Sequence, residues 1–140
     1  MRIAYTRPDG GVSVVVSGPM LDGETEADFR VRVYAQSIPP DATNVSEMDI
    51  VDADREFRDA WELTNNKIVV SLPKAREIQK QRIEAARQDA MREVLLQEAL
   101  GENVTSKKAQ IAAIRADQIV ASAKDIAALK ASKPEVLKKG

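Results

Sequence analysis

An α+β fold is predicted for this chain. A small β-rich head over residues 1–72 is followed by a long antiparallel helical hairpin over residues 73–140, which ends in a short tail. Three observations point that way. Short β-branched runs bounded by Gly, Pro and Asn fill the first half. From Pro73 to Pro134 helix-forming residues run almost unbroken. The one break in that run, the four-residue connection "ENVT" after Gly101, is short enough to join antiparallel neighbours.

The elements follow in order. "RIAYT" and "VSVVV" flank "RPDGG", in which Pro8 pre-sets φ, Asp9 caps, and Gly10 and Gly11 supply positive φ, so a β-hairpin is expected. "TEADFRVRVYAQ" reads as a helix with Thr25 as N-cap and Asp28 three residues on. Its "RVRVYA" also alternates like a strand. "SIPP" ends it, because a residue before proline is pushed out of the α region. "NVSEMDIVDA" is expected to be a strand, with Val45, Met48, Ile50 and Val51 on its apolar side. "DADREF" reads as a cap and one or two helical turns that place Phe57 and Trp61, at i and i+4, on one face. "TNNK" is a turn and "IVVS" a short buried strand.

The first long helix is expected from Pro73 to Leu100, about 42 Å if straight, with Ser71 as candidate cap and Gly101 as the residue past its end. A second helix is expected from Thr105 or Ser106 as far as Pro134. Ala109, Ala112, Ala116, Ile119, Ala123 and Ile126 recur three and four apart along it, a coiled-coil seam flanked by Ala113, Val120 and Ala127. On the first helix Ile83, Ala86, Ala90 and Val94 answer that seam, with Met91 and Leu95 beside them. An alanine seam brings backbones close but buries little apolar area per layer. The hairpin is therefore expected to draw stability from the head, a second copy or a larger assembly.

Composition narrows the chemistry. The chain has no His and no Cys, which excludes disulfides, cysteine nucleophiles, Ser-His-Asp catalysis and imidazole or thiolate metal sites. No apolar run approaches the roughly 18–20 residues that span a bilayer, and "MRIAYTRPDGG" lacks the apolar region of a signal peptide. No membrane attachment is expected. Net charge is −1, but residues 1–72 hold 7 Lys/Arg against 13 Asp/Glu, and residues 73–140 hold 14 against 9. Such asymmetry fits solvated helix faces or packing between copies better than a nucleic-acid arm, which carries a denser basic stripe.

Candidate sites resolve mostly into structure. Asp49, Asp52, Asp54, Glu56 and Asp59 lack the central glycine and terminal glutamate of a calcium loop, and Arg55 and Arg58 interleave them as ion-pair and capping partners. Gly10, Gly11 and "SGP" match no phosphate-loop pattern. Lys74, Arg76, Lys80, Arg82, Arg87 and Arg92 lie around the whole helix with acids between them, and Glu77 with Lys80 and Glu84 with Arg87 are supporting i, i+3 pairs. Phe57 and Trp61 stand among acids that would repel a nucleic acid, so they read as a hydrophobic plug for the head, packed on the sheet or on the root of the long helix near Ile78. No catalytic residue, metal or cofactor is expected. The expected contact surface is Ile83, Ala90, Val94, Leu95, Ala112, Ala116, Ile119, Val120, Ala123 and Ile126.

"YTRPDGGVSVV", "REFRDAW" and "KAREIQKQRI", in that order, resemble a group of small proteins from the tail and tail-fibre gene module of tailed bacteriophages. The resemblance implies a non-enzymatic structural protein of the tail or head–tail region. It would sit in the virion in several copies and bind other phage structural proteins through the helical hairpin. One alternative it carries is a tail assembly chaperone, acting in the host cytoplasm and absent from the mature particle. A second alternative, from charge alone, is a small nucleic-acid-binding protein.

Overall fold

The computed structural model describes every residue except Ile50, Asp52, Lys139 and Gly140. The fold is α+β, and among the described residues five short strands and one helix precede a long helix and three shorter ones. The chain divides into two compact units, Met1–Ser71 and Leu72–Gly140.

In the head, β1 (Arg2–Thr6) pairs antiparallel with β2 (Val12–Val16) on one side and β3 (Thr43–Met48) on the other, giving the order β2-β1-β3. The β1–β2 turn uses the expected chemistry with one change. Asp9 Oδ1 accepts the Gly11 N–H at 2.8 Å and Gly10 sits at φ 86°, but Gly11 is not left-handed. Arg7 braces the turn, donating to the Val12 carbonyl at 3.1 Å and to Ser13 Oγ at 2.9 Å. The α1 helix (Glu26–Ser37) wins over the strand reading of "RVRVYA", and Thr25 Oγ1 caps it by accepting the Asp28 N–H at 3.2 Å.

The strand β3 is shorter and differently faced than its sequence suggests. Val45 is exposed, whereas Ser46 is buried and donates to Asn66 Oδ1 at 2.9 Å. Asn44, at φ 49°, marks an irregularity where the β1–β3 register shifts, and this sets which face each side chain takes. Val51 packs against the head core, while Ile50 lies outside the described residues. The second sheet is a hairpin of β4 (Trp61–Thr64) and β5 (Lys67–Val70). Its two-residue turn, Asn65 and Asn66, has both φ values positive at 50° and 60°, the conformation that matches the right-handed twist of paired strands.

This hairpin covers one face of the three-stranded sheet. Ala4, Val12, Trp61 and Ile68 form the core, with Val14, Met48, Leu63 and Val70 packed around them. Residues of the other parity turn the opposite way. Glu47, the partner of Ile3, takes Arg30 Nη1 at 2.5 Å and the Tyr34 hydroxyl at 3.0 Å, both from α1.

In the second unit α2 (Leu72–Ala99) matches the expected first helix within one residue at each end. Its end is a Schellman closure. Gly101, at φ 87°, donates to the Glu98 carbonyl at 3.0 Å, and the Glu102 N–H reaches back to Gln97 at 3.1 Å. The return arm corrects the hairpin expectation. In place of one helix it is three, α3 (Thr105–Ala112), α4 (Ala116–Ser122) and α5 (Ile126–Lys130), then a 3-10 turn at Glu135–Leu137. All of them pack on α2. The arm does run antiparallel: Lys108 pairs with Glu98 near the end of α2, and Ala123 and Ser132 meet Arg76 and Gln79 near its start.

Candidate functional site

The structure separates the two plug residues that the sequence places on one helical face. Phe57 lies within a 3-10 segment, Arg55–Ala60, at φ −110° and ψ 38°, which breaks the helical path. Trp61 is already the first residue of β4. Both are nonetheless buried, Phe57 fully and Trp61 to 3% exposure. Asp54 starts the segment by accepting the Glu56 N–H at 3.0 Å, and its carbonyl receives the Trp61 indole N–H at 3.0 Å. The Arg58 guanidinium lies 5.7 Å from the Trp61 ring centre, so this cation stacks on the tryptophan. Among the described residues, no three carboxylates gather as a metal would require. Asp52 of the acidic run lies outside them.

A cleft of about 440 Å³ opens between the start of α1 and the ends of β1 and β3. Met1, Met20, Met48 and Phe29 give it an apolar lining, and Arg2, Glu26, Arg30, Glu47 and Asp49 surround it with charges. Three of the four methionines of the chain thus meet at one place, a lining that adapts to varied apolar shapes. The charges are tied to one another: Arg2 donates to the Asp49 carbonyl, and Arg30 is held by Glu47 and, at 3.9 Å, by Glu26. Hydrogen bonding to Glu47 raises the Arg30 pKa further above its usual value. Burial, then the bond to Glu47, raises that of Tyr34. The cleft is suited to holding an apolar side chain.

Nearby, Arg32 grips Glu24 with two bonds of 2.8 and 2.9 Å. That hydrogen-bonded guanidinium holds the Glu24 carboxyl below its usual value of 4.5. A depressed folded-state pKa contributes stability that is fully present above the unfolded value and fades as pH falls through the folded one. The urea midpoint of the native chain should therefore exceed that of Glu24→Gln by a constant margin above about pH 5, a margin that closes on further acidification. A margin unchanged down to strong acid would show that the pair contributes nothing through ionisation.

The helical unit brings together part of the expected contact set. Ile83 and Val94 of α2 are fully buried and Ala90 is partly so. From the return arm Ala116, Val120 and Ala123 are buried, and Ile119 and Ile126 are half-buried. Ala112 and Leu95 do not pack inside: both are exposed. The unit's interior is supplied instead by residues off the alanine seam, namely Val104, Ile111, Ile114, Leu129 and Leu137. Two polar contacts sit among them. The Arg76 guanidinium donates to the Ala123 carbonyl at 2.8 Å, placing a cation at the C-terminal end of α4 where the helix dipole favours it. Buried Gln79 donates to Ser132 Oγ at 3.4 Å, and Ser132 in turn donates to the Leu129 carbonyl at 2.6 Å. Arg76, one of the basic residues expected around the whole helix, is thus a packing residue. The expected Glu84–Arg87 pair is present at 3.3 Å, and Arg92 pairs with Asp89 at 3.4 Å.

Three leucines of this unit remain outside. Leu95 and Leu96, near the end of α2, and Leu100, just past it, are 47%, 62% and 73% exposed. Only Leu95 stands out in the sequence, through its place beside the seam. The run "VLLQEAL" was the available signal, since it carries more leucines than one narrow helix face can bury. No helix of the described residues is long and apolar enough to cross a membrane.

No protein-family model, curated protein or solved structure matches this chain.

Proposed function

We propose that this chain is a non-enzymatic bacteriophage structural protein of the tail or head–tail region, and that its helical unit binds another protein of the particle. The observation that carries the binding role is the cluster of Leu95, Leu96 and Leu100 left in solvent at the end of α2. Exposing three leucines together costs solubility unless a partner covers them. Leu96 and Leu100 stand four apart on one side of the helix, the spacing by which a helix presents anchors to an apolar groove. The assignment to a phage particle rests on the resemblance of "YTRPDGGVSVV", "REFRDAW" and "KAREIQKQRI" to the tail-module group. The chemistry of the head agrees with a structural role, since its most distinctive aromatics, Phe57 and Trp61, are both buried.

Mass spectrometry of purified intact particles, calibrated for copy number, tests this. Stoichiometric presence is the expected result. Absence from particles of a protein abundant in infected cells would replace this reading with the assembly chaperone.

A further inference from the structure

We infer that the free edge of β2 is a self-association surface, on which a second copy of this chain adds its own β2 antiparallel to form one continuous six-stranded sheet. This goes beyond the virion reading and does not depend on it.

The argument starts from the ladder. The β1–β2 register pairs Arg2 with Val16 and Thr6 with Val12, and extends to Met1 with Ser17 and Arg7 with Gly11. The Ser17 N–H donates to the Met1 carbonyl at 2.9 Å, and the Arg7 N–H donates to the Gly11 carbonyl at 2.7 Å. Those two pairs are therefore hydrogen-bonded ones. Because such pairs alternate along an antiparallel ladder, Ser13 and Val15 also turn their backbone groups toward β1. Val12, Val14 and Val16 turn theirs outward, at the edge of the sheet. The outward Val12 carbonyl is already taken by Arg7 at 3.1 Å. Val14 and Val16 remain.

Those two residues define one register. A twofold axis through Val15 sets Val14 opposite Val16 of the second copy, and Val16 opposite its Val14. Each pair exchanges two N–H to carbonyl bonds, while Val15 faces its own counterpart as a close, non-hydrogen-bonded pair. The register leaves the Arg7 bond to Val12 intact. It also places Val16, now 67% exposed, across from a valine.

A second copy fits this edge because the strand is self-complementary about that axis. Among the strands of the described residues "VSVVV" alone lacks a charged residue, so the twofold opposes no like charges. The remaining strands carry Arg2, Glu47, Glu62 and Lys67. The other edge of the same sheet is guarded as natural edges are, by the irregularity at Asn44 and by Glu47 bound to Arg30 and Tyr34. On β2 a charge reaches the edge at Val12 alone, through Arg7, and the stretch from Val14 to Val16 is regular and all valine.

Sedimentation velocity on the full chain over a concentration series should show a monomer–dimer equilibrium. Val16→Pro removes an outward N–H without touching the β1 ladder, so it should weaken the dimer while leaving the far-UV spectrum and melting unchanged. Val15→Lys and Val15→Glu, each opposing its own like charge, should each raise the dimer Kd roughly tenfold or more, and mixing the two should restore association as a heterodimer. A chain monomeric at every concentration would overturn the inference. So would a dimer indifferent to Val16→Pro, which would have to be held elsewhere, for example by Leu95, Leu96 and Leu100.

Discussion

Replacing Trp61 by alanine should lower the stability of the head by about 3–5 kcal/mol, the range for emptying a buried tryptophan site. Three losses combine. The indole leaves a void among Ala4, Val12 and Ile68, its N–H no longer reaches the Asp54 carbonyl, and Arg58 loses the ring it stacks on. The first dominates, because the exchanged hydrogen bond is worth about 0.5–1.5 kcal/mol net and the exposed cation–π contact about 0.5–1. Amide hydrogen exchange on the full chain can read the effect by unit. Strands β1, β4 and β5 should lose protection, whereas α2 should not. Unchanged protection in β4 together with lost partner binding would instead make Trp61 a recognition residue.

The second large effect separates two alanines that look equivalent in the sequence. Ala116→Glu should destabilise the helical unit by about 3–5 kcal/mol, the cost of an uncompensated buried charge. Ala116 is 1% exposed at the first position of α4. A carboxylate near a helix N-terminus gains about 0.3–1 kcal/mol from the dipole, too little to offset its burial. Ala112→Glu, on an exposed position of α3, should stay within about 0.5 kcal/mol of the native chain. Far-UV melting of the two variants checks both. Equal losses would mean that the alanine seam is buried along its whole length.

That pair of alanines also locates what the sequence could and could not disclose. The α+β class, the β1–β2 hairpin, the Thr25 cap, the Asn65–Asn66 turn and the Gly101 stop all rest on local chemistry, and local chemistry is readable. The broken return arm rests on packing. Over residues 105–131 there is no Gly or Pro, and alanine repeats at three and four, so propensity favours one helix. On a straight helix at about 100° per residue, however, Ile114 would point away from the alanine seam and Ile111 and Leu129 would stand well to its side. Breaks after Ala112 and Ser122 let these larger side chains turn inward, where Ile111 and Leu129 are fully buried. Burying a leucine or isoleucine is worth about 1.5–3 kcal/mol, more than the helical hydrogen bonds given up at a break. One cue was present: Asp125 caps α5 by accepting the Ala128 N–H at 2.7 Å, and an aspartate inside a supposed helix is a start signal. For Trp61 the burial was legible and the backbone was not. Its i, i+4 spacing from Phe57 fits a helix equally well, and the strand pairing of Trp61 with Val70 is long-range in origin.

The segmented arm has a bearing on synthesis. None of α3, α4 or α5 exceeds eight residues, and helices so short do not persist alone in water. They can form only against α2, which leaves the ribosome first and waits with Ile83 and Val94 uncovered. The head suffers no such delay, since its last strand ends at Val70. A ribosome adding about 5–20 residues per second would leave the inner face of α2 bare for several seconds, until Leu137 emerges to complete its cover. The hazardous interval runs from the synthesis of α2 to that of Leu137, and a chain cut short within it would carry that hazard permanently.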